Sequence, residues 1–174
     1  MRNLLLALSV IGIVQGAGGQ LVFTAPPAWH TRPAASSMRV AEFVIPRTAG
    51  DPEDAELIVY YFGAQGGGGA QANIDRWVGQ MQRPGGASAK DDARTESRTI
   101  NGLKLTSVDV SGTYVAEVRP GASERFNKPD FRLLAAVVET AKGPYYIKLT
   151  GPARTVAAAV PAYEAFLGSL RFQQ

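Results

Sequence analysis

"ELIVYYFGAQGGGGAQANIDRWVGQM", residues 56–81, changes its periodicity halfway along. From Glu56 to Phe62 it is almost continuously apolar and aromatic, which suits a central strand with both faces covered. Four consecutive glycines, Gly66 to Gly69, come next. Ile74, Trp77, Val78 and Met81 then fall at i, i+3, i+4 and i+7, the spacing of one helical face. The stretch therefore reads as strand, glycine run and helix, and it poses one question: do the glycines cradle a phosphate or only join two elements? A phosphate-binding loop ends in Gly-Lys-Ser/Thr, because the lysine meets the phosphate and the hydroxyl holds magnesium. This run ends in Gly-Ala-Gln. A dinucleotide loop also needs a parallel βαβ unit around it, and the chain beyond reads as hairpins. The run is expected to be a connection that uses the freedom of glycine at positive φ. The alternative is a generic anion site at a helix start, with Gly66, Gly67, Gly68, Gly69, Asn73 and Arg76 as candidate residues. In that alternative Arg76 sits in the first turn of the helix.

Toward the N-terminus, "MRVAEFVIP" (38–46) is a strand closed by Pro46, and "RTAGDPEDAE" (47–56) is a turn built on Gly50, Asp51 and Pro52. Residues 20–37 are rich in Pro and Ala and read as an extended lead-in, with Trp29 free to plug the core. Residues 1–19 have the pattern of a signal peptide: Arg2, an apolar run from Leu4 to Val14, then Ala17 and Gly19 at the positions a signal peptidase reads before Gln20. Cleavage there leaves about 155 residues and lowers the formal charge from +3 to +2. The apolar run is short for a membrane span, and no later segment is longer. Retention of the run as an N-terminal anchor is the alternative. The expected location is the periplasm or the outside of the cell.

Toward the C-terminus, "RPGGASAKDDARTES" (83–97) reads as a mobile loop. Asn101-Gly102 lies between alternating runs and predicts a hairpin with a type I′ turn. "FRLLAAVVET" and "YYIKLTG" predict a second hairpin. Val156, Val160, Tyr163, Leu167 and Leu170 form one apolar stripe of a long helix, with Thr155 as its N-cap and Pro161 as a kink or as the start of a second half. The tally is five to seven strands and two helices in one domain, residues 38–174. The fold class is α+β, a mostly antiparallel β-sheet sandwiched by helices.

The order "W…MRVAEFVIP…GD…ELIVYYFG…GGGG…N…RWVGQM", ending in "YYIKLTGP…TV…Y…FLGSLRF", resembles small secreted bacterial domains of uncharacterised function. In architecture it is similar to the PsbP-like fold, shared by an extrinsic subunit of photosystem II and a Ran-binding nuclear import factor. The resemblance spans Trp29 to Phe172. It carries no catalytic motif, so no functional residue is transferred, and neither oxygen evolution nor nuclear import follows from it.

Composition narrows the chemistry. The chain has no cysteine, which excludes a lipid-modified cysteine anchor, disulfides, thiolate metal sites and a cysteine nucleophile. Its 18 basic and 15 acidic residues are interspersed and leave no nucleic-acid footprint. His30 is the only histidine, and a Gly-x-Ser-x-Gly elbow is absent, so His30 is expected on the surface. Asp51, Glu53, Asp54 and Glu56 could attract calcium but lack the EF-hand order, and they read as a solvated acidic turn. In the pairs Tyr60–Tyr61 and Tyr145–Tyr146 one ring of each should face the core and the other outward. No cofactor or metal is expected. The expected function is an exported, non-catalytic binding or accessory module that works through a protein partner. The alternatives are a small-ligand or anion-binding protein using the glycine loop and, third, a carboxylate-based hydrolase.

Overall fold

The computed structural model describes residues 11–13 and 20–173. The expected signal peptide, 1–19, lies outside the described residues except for Ile11–Ile13 (β1). That strand pairs antiparallel with Gln20–Thr24 (β2), which in turn pairs with Arg171–Gln173 (β11). These three form a small sheet joining the two ends of the chain.

The main sheet has eight strands. Its order is His30–Arg32 (β3), Arg39–Ile45 (β4), Ala55–Tyr61 (β5), Tyr145–Pro152 (β10), Lys128–Glu139 (β9), Leu103–Tyr114 (β8) and Met81–Gln82 (β6), with Arg94–Ile100 (β7) also on β8. Every pairing is antiparallel. β5 lies next to β10 in the middle of the sheet, as its apolar run predicts. Asn101 and Gly102 have φ of 50° and 81°, so the β7–β8 turn uses the two positive φ angles that Asn-Gly supplies cheaply.

Period-2 alternation divides the strand residues between two faces. Leu57, Val59, Leu134, Ala136, Tyr145, Ile147 and Leu149 face helix Ala153–Gly168 (α2). Phe23, Trp29, Phe43 and Phe166 complete that core as a knot of rings with centroids 4.9–6.2 Å apart. Val108, Val110, Phe131, Leu133, Ala135, Val137 and Tyr146 face the other way, toward helix Ala70–Val78 (α1). α1 buries Ile74, Trp77 and Val78, and Met81 joins the same cluster from β6.

Four local expectations are corrected. The lead-in 20–37 is extended, but it contributes β2 and β3, and Trp29 is buried as expected. The loop 83–97 is fastened: Arg83 grips Asp92 with two bonds of 2.6 and 2.8 Å, Ala89 is buried, and β7 begins at Arg94. α2 runs unbroken through Pro161, which is exposed, so there is no second half. Thr155 does not cap α2. The helix starts at Ala153, and its cap comes from the distant Asp51. The Asp51 carboxylate accepts the Thr155 N–H at 3.0 Å and the Thr155 hydroxyl at 2.6 Å, while Thr155 Oγ1 accepts from Thr48 N–H at 3.0 Å. A side chain from another loop thus satisfies an orphan donor of the first turn.

Candidate functional site

The glycine loop folds onto its own helix. Gly67 and Gly68 have φ of 82° and 78°, a region closed to most side chains. Asn73, buried in α1, donates from Nδ2 to the carbonyls of Gly67 at 2.7 Å and Gly69 at 2.9 Å. The Tyr146 hydroxyl donates to Gly68 O at 2.6 Å and reaches Gly66 O at 3.3 Å. A Cβ on Gly67 would lie 2.4 Å from that hydroxyl, so glycine is needed there for space as well as for φ. Two side-chain donors consume the loop carbonyls, and the glycines become a rigid hinge between β5 and α1.

Of the six candidate residues, the four glycines and Asn73 come together as this unit. Arg76 is in the last turn of α1, not the first. It is six residues from Ala70, about 9 Å along the axis. It donates to Asn73 Oδ1 and faces the cleft beyond the far end of the helix. The first-turn reading fails because the helix begins directly after the glycine run, at Ala70 with Gly69 as its N-cap, four residues before the first apolar position of its stripe, Ile74.

That cleft is the second feature. α1 covers only the β8–β9–β10 part of its sheet face, and the part over β3, β4 and β5 has no helix. An open cleft of about 1030 Å³ lies there, bounded by α1's C-terminal end and the loop 115–127. Its floor is ordered by strand register: Arg32 pairs with Glu42, Glu42 with Ile58, and Ile58 with Lys148. Tyr60 lies one pair further along, beside Arg39, whose guanidinium sits 5.7 Å above its ring. Glu42 is 1 % exposed. Burial opposes its ionisation, but the Ala35 N–H at 2.6 Å and the guanidiniums of Arg32 and Arg39, each at 3.3 Å, outweigh this and hold its carboxyl below the usual range.

Lys148 is the unusual group on this floor. Its ammonium donates to Gln80 Oε1 at 2.6 Å and to the Tyr114 hydroxyl at 3.1 Å, and it lies 5.0 Å from the Tyr114 ring centroid. Among the described residues no carboxylate is within ion-pair distance of it. Burial, and then the positive charges of Arg76 and Arg39, push the amine down to about 7. Burial pushes the Tyr114 phenol up to about 12.

The acidic turn is partnered, not merely solvated. Asp51 caps α2 and binds Arg154 at 2.7 Å, Glu53 meets Lys128 at 2.5 Å, Asp54 accepts the Arg47 N–H at 3.0 Å, and Glu56 pairs with Arg32. Among the described residues no group of three potential ligands is placed for a metal. His30 is exposed on the edge strand β3. Tyr145 and Tyr146 are both buried, against expectation, because a helix covers each face of the sheet where they stand. The sequence reading missed Lys148, Tyr114 and Gln80. The available signal was a lone lysine inside the apolar run "YYIKLTG".

An α+β architecture of this kind, an antiparallel sheet between two helices with one face half open, is a PsbP-like fold. The solved structures bear this out. The chain superposes on the solution structure of cyanobacterial PsbP (CyanoP) from Synechocystis sp. PCC 6803 with a TM-score of 0.51 at 12 % identity, over 88 % of this chain and 86 % of that one. It also superposes on LpqN, involved in cell envelope biogenesis of Mycobacterium tuberculosis, with a TM-score of 0.56 at 9 % identity, over 96 % and 92 %. At these identities the likeness is one of fold. No family model and no curated protein matches the chain.

Proposed function

We propose that the protein is an exported, non-catalytic accessory module of the cell envelope, and that it binds a partner protein through the half-covered face of its sheet. The observation that carries this reading is the cleft. It interrupts an otherwise helix-covered sheet and combines aromatic side chains with cations, the composition of a recognition surface more than of a packed core. The leader pattern of residues 1–19 supports export. The likeness to an envelope-biogenesis protein supports the setting, at the level of fold. No helix among the described residues is long and apolar enough to cross a membrane.

Site-specific photo-crosslinking in the native envelope tests this. A benzophenone side chain at Tyr60 or Phe126 should give a discrete protein adduct, and one at Ala157, on the exposed side of α2, should give none. Adducts from Ala157 alone, or none from the cleft positions, would overturn the reading.

A further inference from the structure

The charges of the cleft balance on one side and not on the other. Arg32 and Arg39 share Glu42, and Arg32 also holds Glu56, so two guanidiniums meet two carboxylates. Arg76 and Lys148 have no such partner among the described residues. Arg76 contacts only the neutral Asn73 Oδ1, and Lys148 only Gln80 and Tyr114. Three further donors lie close by. The Tyr114 hydroxyl accepts from Lys148, and its own proton has no acceptor among the described residues. The Thr150 hydroxyl lines the same floor, one row along, and is buried without a partner. Gln80 has its amide nitrogen to offer. Donors without acceptors, in a pocket whose excess charge is one to two units positive, describe the complement of a single oxyanion. Ile58, Tyr60 and Phe131 supply the apolar surface beside it.

We propose that the cleft floor receives one carboxylate of an acidic peptide segment of the partner, held by Lys148, Arg76 and the Tyr114 hydroxyl, with the neighbouring apolar residue of that segment lying on Ile58 and Tyr60. The inference rests on the cleft being the partner-binding face and names what enters it. A peptide fits the size of the site: the cleft has a volume of about 1030 Å³, and its lining includes Glu56, Ile58 and Tyr60 along one strand. The bound carboxylate also replaces the acid that Lys148 lacks. A neutral amine takes up a proton as the anion arrives, so binding is strongest where Lys148 can charge. Burial, Arg76 and Arg39 set that titration, within a wider ring of charged groups. Arg39 faces the cleft from β4, with Glu42 buried beside it at 3.3 Å, Glu56 and Tyr60 line it from β5, and Arg32 from β3. Arg76 faces it from α1, Tyr114 from β8 and Lys128 from β9, with Glu53 and Asp54 at the rim from the β4–β5 turn and Glu117, Arg119 and Arg125 in the far wall.

The probes are acetyl-Phe-Glu-Phe-amide, its Gln counterpart, phenyl phosphate, and vesicles of phosphatidylglycerol in phosphatidylcholine, added to the full mature protein and followed by amide chemical shifts. The Glu peptide should shift resonances around Lys148 and Arg76 and bind about tenfold or more tightly than the Gln peptide, as expected for a charge-assisted contact. Lys148→Met and Arg76→Ala should each weaken it about as much. Should Lys148→Met fail to fold, Gln80→Glu serves instead: it places a carboxylate beside the amine, keeps the packing, and should block the peptide. Equal binding of the Glu and Gln peptides, tighter binding of phenyl phosphate or of the vesicles, or undiminished binding by Gln80→Glu overturns the proposal. The crosslinking experiment separates the two claims. A partner that still crosslinks at Tyr60 in the Gln80→Glu protein leaves the docking face standing and removes only the carboxylate.

Discussion

The two faces of the main sheet are made by the same strands and differ in almost everything else. Behind α2 the face is sealed: Leu57, Val59, Ile147 and Leu149 are fully buried against Phe166 and Val156. Behind α1 the alternate residues of those same strands are Glu56, Ile58, Tyr60, Lys148 and Thr150, and Tyr146 is the one that joins the α1 cluster, with Tyr60 packed against it. A sixteen-residue helix plus the terminal sheet covers one side, and a nine-residue helix covers part of the other. The length of the covering helix therefore decides which strand positions must be apolar. A short α1 leaves room for charged residues at the centre of the sheet.

The sharpest way to break this comparison is to remove the anchor of the sealed face. Phe166→Ala should cost about 3–5 kcal/mol, the range for deleting a buried ring, and chemical denaturation should show a parallel fall in midpoint by every probe. Trp77→Ala on the other face should cost about 3 kcal/mol, and Arg76→Ala far less; equal losses in denaturant melts would contradict the phase of α1. Lys148 sharpens the contrast through pH. Its folded value, about 7, is below the ordinary lysine value of 10.5, so the unfolded chain holds more protons between the two. Stability should accordingly rise from pH 7 toward pH 10, by at most about 1.4 kcal/mol per unit, and Lys148→Met should abolish that slope. Melts across this range that match for the two proteins would contradict an amine held in the fold without a carboxylate partner.

The two helix entries give the smaller effects. α1 is entered through positive φ, so Gly68→Ala should cost about 1–2 kcal/mol without changing the far face of the sheet. α2 is entered through Asp51, whose carboxyl is held below its ordinary 3.8 by the Thr155 hydroxyl first and then by Arg154, against the effect of burial. That contribution is fully present above pH 3.8 and is lost as pH falls through the lower folded value. Asp51→Asn should flatten acid unfolding in that window, as read by circular dichroism.

Features set by neighbouring residues were legible in advance. Asn101-Gly102 declared its turn, Ile74, Trp77 and Val78 declared the face of α1, and Val156, Tyr163 and Leu167 declared the face of α2, although Leu170, read as part of that stripe, lies beyond the helix end. Features set by distant partners were not. Thr155 has the composition of a cap, but Asp51, 104 residues earlier, performs the capping. Tyr145 and Tyr146 are both buried because helices lie on both sides, which alternation along one strand cannot report. Glycine placement was visible in the candidate loop, but the tyrosine and asparagine that hold it were not. Lys148 gained its setting only when β10 was placed between β5 and β9 and under the end of α1.

Leu21, near the start of the described chain, pairs with Phe172, near its end, and Phe23 packs its ring 4.9 Å from Phe166. Two segments about 150 residues apart, β2 and β11, are thus each other's partners, and this contact closes a long loop. Loop closure of that length is slow. A chain emerging from a ribosome lacks β11 until residues 171–173 arrive. Completion of the small sheet waits for that segment, and a protein shortened after Leu170 should remain recognisable to proteases as unfinished.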